Sequence, residues 1–197
     1  GLIYENTFEG NIGSEWNTNS TVNYNGTKIL GNFSQECNSC DPDDAILSLS
    51  NLPLHNQIRI KFDLYILDSW DGFVDTNCCG PGTESWLMIV DNNEIINTTF
   101  GNVPFDGANQ QNYPDGNINP AQTGAIITGL PNFCINGGNG TISSMYAIDL
   151  IVEHENENLT IDLSGWSLQG ACDESWGIDN IEIFTTENSC CTYPEEG

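Results

Sequence analysis

The sequence predicts an all-β fold: an antiparallel two-sheet jelly-roll sandwich with long, disulfide-stapled loops at one end. Three observations predict it. Helical periodicity is nearly absent, and short apolar alternations recur between clusters of Asn, Gly, Pro and Asp. The 197 residues suit one sandwich with a real core. The eight cysteines all fall outside the alternating runs, where they can staple loops.

In chain order, alternation predicts strands over 2–9, 22–31, 45–50, 57–68, 85–91, 94–100, 145–153, 159–164 and 177–185. The clearest is QIRIKFDLYILD. Ile58, Ile60, Phe62, Leu64 and Ile66 share one face, while Arg59, Lys61, Asp63 and Tyr65 share the other. The stretch DNNE at 91–94 reads as a tight hairpin turn. If successive strands alternate up and down, the short connections 51–56, 91–94 and 154–158 lie at one end. The long ones, 32–44, 69–84, 101–144 and 165–176, lie at the other. Long loops in a compact domain are usually functional or stapled. Residues 1–186 form the sandwich in this reading, and 187–197, ending CCTYPEEG, form a Cys-containing linker or tail.

The up-and-down order gathers Cys37, Cys40, Cys78, Cys79, Cys134 and Cys172 at the long-loop end, enough for three bridges. Cys190 and Cys191 follow the last strand. CNSC offers one zinc-type pair, but the other close pairs are vicinal doublets, so disulfides are expected over zinc. Asn19, Asn25, Asn32, Asn97, Asn139 and Asn158 each open an N-x-S/T acceptor. Together they predict a secreted or cell-surface glycoprotein.

Charge narrows the partners. Three Lys and Arg stand against 28 Asp and Glu, a net charge of −25. Nucleic acid and anionic membrane surfaces both require cationic contacts, so neither is expected. Nothing approaches the roughly 18–20 apolar residues of a membrane span, so no membrane insertion is expected. The opening GLIYENTFEG has neither the basic start nor the apolar block of a signal peptide.

Carboxylates in excess suit calcium, which takes carboxylate and carbonyl oxygens. In the last strand Asp179 shares the parity of Ile181 and Ile183, which points it inward. If the first strand pairs with the last, Glu9 arrives beside it. Two carboxylates brought together need a cation or a shared proton. Further acids of the long-loop end are Asp68, Asp71, Asp75, Glu84, Asp173 and Glu174. The alternative for Asp179 is to cap loop amides by hydrogen bonds.

The ordered series FEGNIGSEW, ILGNFS, IKFDLYILDSWDG, ESWLMIVDNNEIINTTFGN, NYPDG and DESWGIDNIEIF resembles extracellular jelly-roll modules of secreted and surface proteins. It is more broadly similar to MAM, laminin-G-like and carbohydrate-binding-module sandwiches. The resemblance spans most of residues 4–184. It implies a structural calcium shared by the FE acid, Glu9, and the last-strand Asp179, with Asp68 and Asp71 of DSWDG as further candidates. It implies adhesion, glycan binding or matrix building as the function.

Catalysis lacks its usual signatures. His55 and His154 fall in short turns and read as solvent-exposed, and no nucleophile elbow or phosphate loop occurs. Asp71 and Glu84, at the two roots of one loop, could face each other, and read as calcium or loop-anchoring groups. Trp70, Trp166 and Trp176 are candidate sugar platforms; otherwise they close the end of the core. The expected protein is a non-catalytic adhesion or assembly module, stabilised by calcium and disulfides. Its expected partners are other extracellular proteins or copies of itself. The alternative is a calcium-dependent carbohydrate-binding module, with a glycoside-active enzyme ranked below both.

Overall fold

A computed structural model describes residues 1–35, 42–73, 83–102, 110–138 and 140–186. The strands are β1 (Leu2–Asn6), β2 (Thr21–Tyr24), β3 (Thr27–Phe33), β4 (Asp44–Ser50), β5 (Gln57–Asp68), β6 (Ser85–Val90) and β7 (Asn93–Thr98). They continue with β8 (Gln110–Gln111), β9 (Asn119–Pro120), β10 (Ile127–Leu130), β11 (Ser143–Glu153), β12 (Asn158–Trp166) and β13 (Glu174–Thr186). Sheet A runs β10-β11-β5-β13-β3-β2, with β1 also paired to β13, and sheet B runs β4-β12-β6-β7. Every pairing is antiparallel. The first strand does join the last, with Leu2 opposite Phe184 and Asn6 opposite Ile181. The tail 187–197 lies outside the described residues.

The alternation in β5 fills the core as expected. Ile58, Ile60, Phe62, Leu64 and Ile66 are at most 3 % exposed, packed with Leu159, Ile161 and Leu163 of β12 and Met88 and Val90 of β6. Each such burial is worth roughly 1.5–3 kcal/mol against exposure. Tyr65 and Leu67, on the opposite face, are buried as well, in a second cluster with Tyr24, Ile29, Leu130 and Met145.

Two expectations about strands are corrected. The run 22–31 is a hairpin: Asn25 and Gly26 turn the chain with φ of 48° and 91° between β2 and β3. Asn-Gly is the strongest short hairpin signal, because both central positions of a type I′ turn need positive φ. The supposed loop 101–144 contains β8, β9 and β10.

β13 also departs from simple parity. Its pairing with β5 shifts register between Asp179 and Glu182, where Asn180 takes a φ of 52°. Trp176 and Ile178 face the core before the bulge, and Ile181 and Ile183 face it after. Asp179 therefore lies on the outer face with Gly177, not on the parity of Ile181. At Gly177 a Cβ would stand 2.8 Å from the Ile29 Cδ1 and 2.9 Å from the Leu30 carbonyl, so β3 can approach only a glycine.

The histidines are not exposed turn residues. His55 and His154 are 4 % and 6 % exposed. His55 Nε2 lies 2.6 Å from His154 Nδ1, and His154 Nε2 lies 2.9 Å from Asp91 Oδ2. Asp91 Oδ1 in turn accepts from the Thr160 amide at 2.9 Å. The relay ties three short-turn segments together. His154→Ala leaves the buried His55 Nε2 without its partner and should cost about 1–3 kcal/mol. A urea titration checks this; an unchanged midpoint would contradict it.

Candidate metal centre and binding face

On a strand, residues two apart share a face. The sequence carries the triplet Glu-Ser-Trp twice, at Glu84–Trp86 and Glu174–Trp176. In both, the tryptophan drops into the core, fully buried, and carries its acid inward at the loop end of the sandwich. Glu84 stands just before β6, and Glu174 opens β13. Asp71 follows the buried Trp70, whose indole N–H donates to the Ser175 carbonyl at 2.8 Å. Carboxylate oxygens of Asp71, Glu84 and Glu174 all lie within 4.8 Å of one another. The floor beneath them is aromatic: Trp86 and Trp176 meet edge-on at 6.0 Å, and Trp176 packs on Phe33 at 4.7 Å.

The donors around the cluster do not saturate it. Glu84 Oε2 accepts from the Asp71 amide at 2.6 Å, while Glu84 Oε1 is buried with no donor to it among the described residues. Both oxygens of Glu174 are used by Gln169, through its backbone amide at 2.7 Å and its side-chain amide at 3.1 Å. Burial, followed by the Glu174 charge, holds the Glu84 carboxyl well above the usual range. Burial likewise pushes Glu174 up to about 7. Low dielectric disfavours bare carboxylates, and neighbouring like charge adds to that. A proton or a cation between these groups relieves both effects. Three oxygen donors, with neither nitrogen nor sulfur among them, make a centre that can hold a metal ion.

The other expected metal ligands are placed differently. Asp68 does not join the cluster. Its Oδ1 and Oδ2 accept from the amides of Phe133 and Cys134 at 2.7 and 3.2 Å, so it anchors a loop. Glu9 and Asp179 do meet, but in mid-sheet: Asp179 pairs with Asp63, five residues along β13 from Glu174. That is about 17 Å of strand, so the acids form two sites and not one. The Thr27 hydroxyl lies 2.8 Å from Glu9 Oε1 and 2.9 Å from Asp179 Oδ2. Amides of Lys28 and Asn180 supply a donor to each carboxylate. The Thr27 hydroxyl, with one proton to donate, stands between the two acids and can serve one of them at a time.

Cys134 and Cys172 are disulfide-bonded, joining the loop after β10 to the loop that ends at Glu174. Cys37, Cys40, Cys78, Cys79, Cys190 and Cys191, with Asp75, lie outside the described residues. So does Asn139. Asn19, Asn25, Asn97 and Asn158 are exposed, and Asn32 is half-buried, donating to the Ala171 carbonyl at 3.2 Å.

The tryptophans separate cleanly. Trp70 and Trp176 are 0 % exposed and cannot stack on a sugar; they close the core, the alternative reading. Trp166 is 42 % exposed on the outer face of sheet B. Its indole N–H donates to Ser164 Oγ at 3.2 Å. Sequence reasoning missed Thr27, Gln169 and Asp162. The pattern LTIDLSGW, with Leu159, Ile161 and Leu163 inward, carried the signal for the last of these.

Fold and site define a β-sandwich module with a metal-competent acidic centre at its loop end. No family model and no curated protein matches the chain. Among solved structures it is similar to a family 35 carbohydrate binding module from Clostridium thermocellum, at 8 % identity and a TM-score of 0.36, over 87 % of each chain. It is also similar to the CBM22-1 xylan-binding domain of Paenibacillus barcinonensis Xyn10C, at 10 % identity and 0.38, over 95 % of this chain and 96 % of that one. Dimeric latent PorU from Porphyromonas gingivalis aligns at 11 % identity and 0.39, over 72 % of this chain and 10 % of its own. The chain thus spans about a tenth of that protein. These likenesses concern the sandwich fold alone.

Proposed function

We propose that the chain is a non-catalytic, extracellular carbohydrate-binding module whose loop end is held by calcium at Asp71, Glu84 and Glu174. The observation that carries the glycan reading is Trp166. It is 42 % exposed, while the other four tryptophans are at most 6 % exposed. An exposed ring on an outer sheet face, beside the Ser164 hydroxyl, suits stacking on the C–H face of a sugar. Oxygen-only ligation favours calcium over zinc at the acidic centre. The Cys134–Cys172 bridge supports an oxidising, extracellular setting. His55 and His154 are engaged with each other and with Asp91 among the short turns, away from Asp71, Glu84 and Glu174, which supports a binding role over a catalytic one.

The test is retention on a panel of polysaccharides, with Trp166→Ala beside the wild type. Retention of the wild type, with Trp166→Ala weakened by about tenfold or more, is the expected result. Failure to retain any glycan, or retention indifferent to Trp166, sinks the reading. Adhesion or assembly through protein contacts is the second reading. The apolar end with Leu2 and Leu54, 46 % and 87 % exposed, favours it. Self-association in sedimentation that is lost in Leu54→Ser would select it.

A further inference from the structure

Most buried polar groups in a folded chain find a partner, so those that do not point to something that belongs beside them. Among the described residues seven buried side-chain atoms lack one, and five of the seven belong to Gln35, Glu84, Trp86 and Trp176. Glu84, Trp86 and Trp176 already form part of the acidic centre and its floor. Gln35 is 1 % exposed, and neither its Oε1 nor its Nε2 has a partner among the described residues. For a residue that serves packing alone, an amide with neither end bonded is a costly choice over leucine.

Register brings Gln35 to the centre. At the loop end of sheet A, Phe33 of β3 lies opposite Trp176 of β13, and both side chains are in the core. The strands are antiparallel, so two residues farther on Gln35 comes level with Glu174, one strand spacing of about 4.8 Å away. Residues two apart share a face, here the inward one. The end of β3 is held to that place: Asn32 Nδ2 donates to the carbonyl of Ala171, in the turn that leads into Glu174, at 3.2 Å. On the other flank of Glu174 stands Asp68 of β5, whose carboxylate is occupied by loop amides.

The centre has room for another oxygen. Calcium takes about six to eight oxygen ligands. Glu84 Oε2 and both oxygens of Glu174 already accept hydrogen bonds. A fourth carboxylate would add negative charge where three already crowd. An amide carbonyl adds an oxygen and no charge. We propose that Gln35 is a further protein ligand of the cation at Asp71, Glu84 and Glu174, giving it a neutral carbonyl oxygen from the end of β3. The proposal rests on the metal reading above and adds a ligand from outside the acids. Waters on the ion can accept from the Trp86 and Trp176 indole N–H groups, so one hydrated ion answers both the unpaired acceptors and the unpaired donors.

The test is calcium titration calorimetry at neutral pH, with melting in calcium and in chelator, for wild type, Gln35→Leu, Gln35→Glu and Glu84→Gln. Expected for Gln35→Leu is a calcium affinity weaker by about tenfold, with melting in chelator no lower than wild type. Gln35→Glu keeps the oxygen and adds a charge. It should melt lower than wild type in chelator and gain more from calcium than wild type does. Gln35→Leu that binds calcium like wild type, while Glu84→Gln does not, overturns the role of Gln35 and leaves the metal reading intact. Weaker affinity with an equal loss of melting temperature in chelator marks a packing role and also overturns it. Should Gln35→Leu fail to fold, Gln35→Glu decides: a melting loss that calcium does not restore places Gln35 away from the ion. No calcium uptake by wild type removes the metal reading and this ligand with it.

Discussion

Replacing Trp176 with alanine is expected to cost about 3–5 kcal/mol, the range for truncating a large core aromatic. Trp176 is 0 % exposed and packs on Phe33 and Trp86 with centroids 4.7 and 6.0 Å away. It sits where β13 meets both β3 and β5, opposite Phe33 and Ile66. Few neighbours can close over the void, because the Trp86 ring and the two strands are themselves fixed by packing. Urea denaturation measures the change. A loss below about 1 kcal/mol would mean that Trp176 is not the hub described here.

Removing divalent cation is expected to lower the melting temperature, and more steeply as pH rises. Calcium at a hundred times its Kd should contribute about 2.7 kcal/mol. For a domain of this size that is roughly 5–10 °C. In chelator, the carboxyls of Glu84 and Glu174 have folded-state pKa values above their unfolded ones, through burial and mutual repulsion. Groups raised in this way give their full stability below the unfolded value, about 4.3. That stability is lost as pH climbs through the folded value, about 7 for Glu174. Chelated protein should therefore weaken from about pH 4.3 to beyond pH 7, while calcium-loaded protein stays level. Glu84→Gln should reverse the order: more stable than wild type in chelator at pH 8, and indifferent to calcium. Wild type whose melting is flat with pH in chelator would contradict the account.

Much of this was legible in the sequence, for physical reasons that can be named. Period-two alternation in β5 and β12 is a strong signal because each strand buries a whole face. Pairing of the first strand with the last followed from the jelly-roll resemblance. The acids Asp71, Glu84 and Glu174 stood among the candidates, but with Asp68, Glu9 and Asp179 in one undivided group. Parity cannot see a bulge: one extra residue at Asn180 moves Asp179 to the outer face. Nor can spacing reveal that Asp68 is taken by two loop amides, since Phe133 and Cys134 are 65 and 66 residues away. The Asn25–Gly26 turn is present in the letters, but TVNYNGTKIL also reads as one long strand. The histidines show the opposite limit. Their burial depends on His55 meeting His154 across 99 residues, which no local pattern contains.

The central claim is that Asp71, Glu84 and Glu174 hold a hard cation over a tryptophan floor. Terbium, a luminescent stand-in for calcium, tests it directly, because Trp70, Trp86 and Trp176 each stand within two residues of a ligand and can sensitise its emission. The account predicts terbium emission on excitation of tryptophan, competed away by calcium, lost in Glu84→Gln and kept in Asp179→Asn. Emission that survives Glu84→Gln, or that disappears in Asp179→Asn instead, would contradict it.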